Sequence, residues 1–370
     1  MVSSAVSDLL PRPHSDMLLR PHSDLLLRPH SDMLLRPQRA SSTRILFVAR
    51  HAPEAPDHAC RAFPGDGGYP AYYHRVWQVL TALGYDVRTT DRCRTLLDAA
   101  GSVDLVFSLY NRMPIDNPEI FIASLCTFLR LPCVGAGPNI RALAEDKWLS
   151  KLTARAVGLP VADGAVYAST EALAQAPAFP GPYFIKNRFG AASEGISAES
   201  IQEDWAGAAR VAGGLLARGL SVLVEAYVPG LDLTVPVLGG REPIMLGVVQ
   251  PRSDRVGGII TEDLKRDDPL GYAMFEAGDL ATALRDDVAA LWRAAGPMDY
   301  FRLDYRFDPQ SGRRVFLEFN LCCHIGRSGA ICLAASRWGL SQADVLGHVM
   351  EYSLRRQAPR PGQESRPWVP

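Results

Sequence analysis

The chain has 370 residues, more than one ordinary hydrophobic core organises, so two or three domains are expected. Hydrophobic residues make up 47% and charged residues 21%, with 39 basic against 40 acidic side chains and a formal net charge of −1. That balance excludes a chain-wide electrostatic pull toward nucleic acid or a membrane surface, so neither partner is expected. Seven cysteines without a CxxC pair support neither a zinc site nor a disulfide framework. No apolar run approaches the ~18 residues of a spanning helix and no charged-then-apolar leader opens the chain, so the expectation is a cytoplasmic protein.

In chain order, residues 12–37 carry an eight-residue repeat, Arg-Pro-His-Ser-Asp-(Met/Leu)-Leu-Leu, present three times and followed by a broken fourth start. A proline in each unit interrupts any continuous helix, and eight residues are too short for a solenoid unit. Residues 1–43 are therefore expected to form a disordered extension, the alternative being a short docking segment that uses its leucines. Strands are expected over 45–49, 85–89 and 103–109, with helices over 72–83 and 120–129. Strands alternating with helices imply a parallel sheet covered on both faces, a domain spanning 44–136. The loops 50–70 and 110–119 follow strand ends and become substrate-side candidates.

Gly135-Ala-Gly-Pro-Asn139 marks a break, and one helix is expected over 140–157, ended by Gly158-Leu-Pro160. A strand over 183–187, a glycine-containing loop, a helix over 201–217 and a strand over 221–227 form an α+β unit within a central domain, 137–228. Strands over 231–238, 243–250, 300–307 and 315–320 and helices over 329–338 and 341–354 make a C-terminal domain, 229–356. The Pro/Arg-rich stretch 357–370 reads as a loose tail.

Three segments carry chemistry. Phe301-Arg302-Leu303-Asp304-Tyr305 and Phe316-Leu317-Glu318-Phe319-Asn320 are joined by the turn-forming Asp308-Pro-Gln-Ser-Gly312 and read as a hairpin. Alternation puts Arg302 and Asp304 on one face of the first strand and Glu318 and Asn320 on one face of the second. Oxygen ligands from Asp304, Glu318 and Asn320 suit Mg²⁺, with Mn²⁺ as an alternative, and Arg302 beside them can hold a phosphate or a developing oxyanion. The competing reading is a salt-bridged polar sheet face. Lys186 ends a strand and precedes a small-residue loop with Ser193 and Gly195, whose backbone N–H groups can close over phosphates; the bland alternative is a hairpin turn with a surface lysine. In Leu223–Val235 a strand runs through Pro229-Gly230 into another strand. Main-chain groups at Ala226–Val228 could read an adenine edge and Asp232 ribose hydroxyls, or the segment is a plain interdomain crossover.

In this order and spacing the three segments resemble the D-alanine–D-alanine ligase branch of the ATP-grasp superfamily. The resemblance extends to Gly135-Ala-Gly-Pro-Asn-Ile-Arg-Ala-Leu-Ala-Glu-Asp-Lys147 and to Ala334-Ala-Ser-Arg-Trp-Gly-Leu-Ser341, covering about residues 130–350 by motif and 44–130 by architecture. It implies a three-domain α/β and α+β fold, with a parallel-sheet N-terminal domain and ATP held between two antiparallel sheets. It also implies a carboxylate and an amine substrate and, as in many related ligases, a homodimer. On that resemblance Lys147 and Lys186 match the nucleotide-phosphate lysines, and Ser193 and Gly195 the flexible phosphate loop. Glu225, Ala226 and Val228 match the adenine hinge, Asp232 the ribose acid, Asp304, Glu318 and Asn320 the Mg²⁺ ligands, and Arg302 the oxyanion arginine. Residues 257–277 fall where the family places a lid, with Lys265 near the lid's lysine.

The departures lie at the amino-acid subsites. After Asn320 the family's Pro-Gly turn and serine-bearing segment give way to Leu321-Cys-Cys-His-Ile-Gly-Arg327-Ser328-Gly, and its Gly-Glu-Asp-Gly stretch to Asp116-Asn-Pro-Glu119. Glu119, Arg327 and Ser328 are the substrate-side candidates. The acid that holds the first amine is not evident, although Glu54 and Asp57 lie nearby. The expectation is an ATP- and Mg²⁺-dependent ligase of specialised metabolism rather than of cell-wall dipeptide synthesis. The alternatives are a ring-closing intramolecular ligase, a phosphate-only transferase and an ATP-binding module without chemistry. Cys322-Cys323-His324 reads as packing or pocket lining, against a covalent thioester role.

Overall fold

The computed structural model describes residues 34–37, 42–49, 68–110, 119–189, 193, 195–252 and 271–358. Strands β1 (Arg44–Val48), β2 (Asp86–Thr90) and β3 (Leu105–Ser108) form a parallel sheet in the order β2-β1-β3. From Ile45 onward β1 is an unbroken apolar run because both of its faces are covered. Ile45 and Phe47 join one core with Tyr72, Val76 and Leu80 of helix α1 (Gly68–Ala82). Leu46 and Val48 join another with Ile122 and Cys126 of helix α2 (Glu119–Phe128).

The single helix expected over 140–157 is two: α3 (Pro138–Glu145) and α4 (Lys147–Ala156). Asp146 leaves helical geometry, at φ −84° and ψ 98°, and its carboxylate accepts from the N–H groups of Trp148 and Leu149 as the N-cap of α4. The break lets the Lys147 N–H donate to the Arg188 carbonyl, while the Arg188 guanidinium grips Asp146 at 2.8 Å. The central sheet is antiparallel in the order β4-β7-β5-β6, from β4 (Gly164–Tyr167), β5 (Tyr183–Asn187), β6 (Ile201–Gln202) and β7 (Val222–Ala226). Helix α5 (Trp205–Ala217) backs it, and starts after the expected residue 201 because Asp204 caps it through Gly207 N–H.

The C-terminal sheet is antiparallel, in the order β11-β10-β8-β12-β13, with β9 also paired to β8. Its strands are β8 (Leu231–Leu238), β9 (Ile244–Met245), β10 (Val249–Pro251), β11 (Tyr272–Met274), β12 (Tyr300–Asp308) and β13 (Arg313–Asn320). The strand expected over 243–250 is divided in two, with Gly247 at φ 142° between the halves. Part of the expected lid range is sheet instead: Tyr272 pairs with Pro251. Helix α6 (Leu280–Ala295), absent from the sequence expectations, lays Leu284, Val288, Leu291 and Ala295 under β8, β12 and β13. Helices α7 (Ala330–Ser336) and α8 (Gln342–Gln357) close the chain, and Val345, Leu346, Val349 and Met350 of α8 join the core that holds Ile45 and Phe47. The first and last domains of the expected division therefore share one core. Among the described residues no helix is long and apolar enough to cross a membrane.

Of the extension expected to be disordered, Leu34, Leu35 and Pro37 are packed and Arg36 is exposed. Leu34 enters the shared core and the Leu35 N–H donates to His348 Nδ1 at 2.9 Å. With Nδ1 accepting, Nε2 carries the proton and donates to the Gly239 carbonyl at 2.7 Å. Burial lowers the His348 pKa below its ordinary 6.5, so the neutral ring belongs to the fold. An imidazole depressed in the folded state contributes stability that is complete above the unfolded value and is lost as pH falls below it. The melting temperature is expected to drop between pH 7 and pH 5, and His348→Gln, which can keep one donor and one acceptor, is expected to remove part of that drop in a pH series of thermal melts.

Candidate active site

Register sets the floor of the site. On β12 and β13, Arg302 stands opposite Asn320 and Asp304 opposite Glu318, all four on the face away from the α6 core. A bulge between Asp304 and Tyr305 then shifts the pairing so that Tyr305 faces Phe316. The extra residue, Leu317, is what lets both Phe316 and Phe319 point into the core although they are three apart. Asp304 is held from three sides: Oδ1 accepts from Thr234 Oγ1 at 2.7 Å, Oδ2 accepts from Asn320 Nδ2 at 2.8 Å, and Arg302 Nε lies 3.3 Å from Oδ2. Committing Nδ2 to Asp304 leaves the amide oxygen of Asn320 as its ligand atom. Among the described residues no three His, Cys, Asp or Glu side chains gather as a metal cluster. Two carboxylates and one amide oxygen are a hard, incomplete set, which fits Mg²⁺ completed by phosphate oxygens and water. The predicted trio and Arg302 are thus brought together.

Above this floor lies a buried charge cluster. Glu225 of β7, 3% exposed, takes Lys151 Nζ on Oε1 at 2.7 Å and Lys186 Nζ on Oε2 at 2.6 Å. Burial works to raise the Glu225 pKa, but the two ammonium groups win and hold it below the usual carboxylate range. Burial pushes Lys151 down to about 8, and Lys147 also falls, with Glu318 3.7 Å away opposing the shift. Lys151 additionally donates to the Phe316 carbonyl at 3.1 Å, on the bulged strand. It was not among the sequence candidates, although its place four residues after Lys147 on α4 puts both on one helix face.

The crossover between β7 and β8 differs from its sequence reading in one respect: the Glu225 side chain is the lysines' counter-ion, so any hinge contact from that residue comes from main chain. The N–H groups of Ala226 and Tyr227 are spent on the carbonyls of Asp163 and Pro182, whereas the Val228 N–H has no acceptor among the described residues. Arg306 fastens the turn, donating to the Val228 carbonyl at 3.1 Å and to Asp232 Oδ1 at 3.0 Å. Gly230 is required here: its φ is 122°, and a Cβ would stand 2.2 Å from the Phe307 carbonyl. Ser193 and Gly195 both adopt left-handed backbone, φ 64° and 73°, and Ile196 N–H closes onto the Ser193 carbonyl. Lys265 lies outside the described residues.

The remaining candidates separate. Glu119 opens α2, its N–H donates to Glu145, and burial pushes its own pKa up despite Arg141 close by. Arg141 is buried, donating to the carbonyls of Val134 and Ala136 and standing 2.7 Å from Cys322 Sγ. Burial raises the Cys322 thiol well above its ordinary value and the Cys323 thiol to about 12, so neither is a ready thiolate. His324 stacks on Tyr72, ring centroids 4.1 Å apart. Arg327 is exposed and Ser328 half-buried on the loop before α7. Tyr272 of β11, unmarked in the sequence, accepts from Arg302 Nη1 at 3.0 Å.

The chain was searched against models of known families and matches none. It is 31% identical over 258 residues to a D-alanine–D-alanine ligase of Cereibacter sphaeroides (strain ATCC 17029), an alignment covering 67% of this chain and 78% of that one. It is 26% identical over 291 residues to the D-alanine–D-alanine ligase of Xanthobacter autotrophicus, covering 74% and 89%. Among solved structures, the Bacillus anthracis D-alanine–D-alanine ligase complexed with ATP superposes with a TM-score of 0.64 at 16% identity, over 85% of this chain and 99% of that one. The fold is that of the ATP-grasp ligases. The chain belongs to the D-alanine–D-alanine ligase family.

Glu225→Gln strands two buried ammonium groups and is expected to cost about 3–5 kcal/mol, read as a lower melting temperature, with Glu225→Asp less severe. Tyr272→Phe removes the acceptor that holds Arg302. It is expected to lower kcat by several-fold while KM for ATP stays within about twofold, measured in steady-state assays.

Proposed function

We propose that the protein activates an amino-acid-like carboxylate as an acyl phosphate and joins it to an amine-type nucleophile, in specialised metabolism rather than in cell-wall D-alanyl-D-alanine synthesis. The coarse activity follows from the family: an ATP- and Mg²⁺-dependent, ADP-forming carbon–nitrogen ligase. The observation that carries the finer reading is a contrast within 20 residues. The metal and oxyanion positions Arg302, Asp304, Glu318 and Asn320 are assembled, whereas the segment that follows is rebuilt around Cys322 and the buried Arg141.

A carboxylate is a poor electrophile because its leaving oxygen is too basic, and phosphorylation supplies a good leaving group. Lys147 and Lys186 neutralise phosphate oxygens from above, positioned by Glu318 and Glu225. Asp304, Glu318 and Asn320 would hold Mg²⁺, which would supply charge neutralisation for phosphoryl transfer. The Val228 N–H offers a donor to the adenine edge, and Asp232, braced by Arg306 and still 23% exposed, accepts from ribose. Arg302 stabilises the tetrahedral oxyanion once the amine attacks, an effect of ~3–4 kcal/mol for a well-placed donor. Arg327 remains the proposed contact for a substrate carboxylate, with Glu119 and Ser328 as the other proposed substrate-side residues, and the family resemblance supports a homodimer. The raised thiols of Cys322 and Cys323 favour pocket lining over a thioester.

Purified protein with ATP, Mg²⁺ and pooled L- and D-amino acids is expected to release ADP and phosphate only with a particular substrate or pair, identified by product mass. AMP and pyrophosphate would exclude the acyl phosphate, and efficient formation of D-alanyl-D-alanine would overturn the specialised reading. A product equal to one substrate minus water would assign ring closure instead. Arg302→Ala is expected to lower kcat by about 10²–10³-fold while ATP affinity, measured by calorimetry, holds.

A further inference from the structure

The eight-residue repeat has no place in the ligase chemistry, yet the last two residues of its third copy and the first two of the broken fourth are docked. Leu34, Leu35 and Pro37 each meet a specific feature of α8 or of the core beneath it, and Arg36 lies exposed between them. Leu34 is 9% exposed within the shared core. The Leu35 N–H is accepted by His348 Nδ1 at 2.9 Å, on a ring whose other nitrogen is fixed by the Gly239 carbonyl. The Arg36 charge acts on Asp344, which caps the first turn of α8. Pro37 lies over Gly347: a Cβ there would stand 3.1 Å from Pro37 Cδ and 3.2 Å from its Cγ. Only a small residue at 347 leaves room for the proline ring.

The same four residues occur twice more in the chain, as Leu18-Leu19-Arg20-Pro21 and Leu26-Leu27-Arg28-Pro29, in identical order and at a period of eight. We propose that the α8 groove formed by His348, Asp344 and Gly347 is a binding site for a Leu-Leu-Arg-Pro segment, and that residues 26–29 exchange with residues 34–37 as its occupant within one chain. Among the described residues these contacts are made by main chain or by side chains that the copies share, so they do not distinguish one copy from another. The connection to β1 grows from residues 38–43 to residues 30–43 when the second copy docks. Loop-closure entropy rises only logarithmically with length, so the slip costs roughly fourfold in occupancy. The repeat is thereby a redundant strap that ties the start of the N-terminal sheet to the C-terminal helix.

Three full-length variants test this: Leu34→Ser; Leu18→Ser with Leu26→Ser; and all three substitutions together. Thermal melts at pH 7.5 are expected to show the double variant unchanged, Leu34→Ser lowered by less than half of the triple variant's loss, and the triple variant lowest. A fluorescein-labelled peptide of residues 30–37 is expected to bind the triple variant in an anisotropy titration and to raise its melting temperature. It is expected to bind the wild type at least tenfold more weakly, because the groove is filled in cis, and to lose binding when Gly347→Val is added to the triple variant. Equal losses for Leu34→Ser and the triple variant would overturn the exchange. A triple variant that melts with the wild type and takes up no peptide would overturn the site itself.

Discussion

One buried carboxylate, Glu225, ties together the elements that would surround a nucleotide. Its two oxygens hold Lys151 from α4 and Lys186 from β5, and Lys151 reaches on to the Phe316 carbonyl of β13. Three charged side chains and one carbonyl thus join a helix, the central sheet and the C-terminal sheet. A buried ion pair adds little net stability compared with a hydrophobic substitute. What Glu225 contributes is placement: it sets the reach of Lys186, while burial keeps its two partners from wandering. The helix break at Asp146 belongs to the same construction, since it starts α4 where Lys147 can face Glu318 and Lys151 can face Glu225.

The second constraint is the bulge in β13. A regular ladder would send Phe316 to the same face as Glu318, and either the core or the polar face would lose a residue. The extra Leu317 resolves the conflict, so that Tyr305, Phe316 and Phe319 pack over α6 while Asp304, Glu318 and Asn320 share the open face. Thr234 on the adjacent strand β8 and Tyr272 on the edge strand β11 of the same sheet bind Asp304 and Arg302, so the sheet itself, rather than a loop, orients both. Sites on paired strands hold their geometry better than sites on loops.

The segment after Asn320 shows a different economy. Arg141 spends its donors on the carbonyls of Val134 and Ala136 and stands against Cys322, so this cation serves the architecture at the domain junction. The thiols beside it are kept protonated by burial. On the proposed reading, the sheet face that carries Arg302, Asp304, Glu318 and Asn320 handles phosphate and the wall next to it meets the substrate.

Much of this was determined by the sequence alone. The apolar run of β1, the alternation in β12 and β13 and the order of the lysines, hinge and carboxylates were all legible, because strand period and local motif spacing are written in neighbouring residues. Helix α6 was legible too, in the helical spacing of Leu284, Val288, Leu291 and Ala295, although it was not among the expected elements. Only the tertiary structure decided that Glu225 turns its side chain to two lysines, that Tyr272 meets Arg302, that Arg306 fastens the hinge, and that the first and last domains share a core. Each of these joins residues far apart in the chain, and which distant polar group meets which is set by register, bulge and burial together. Residues 34–37 make the point most simply: composition marks them as part of a loose extension, and a groove more than 300 positions away in the sequence holds them in place.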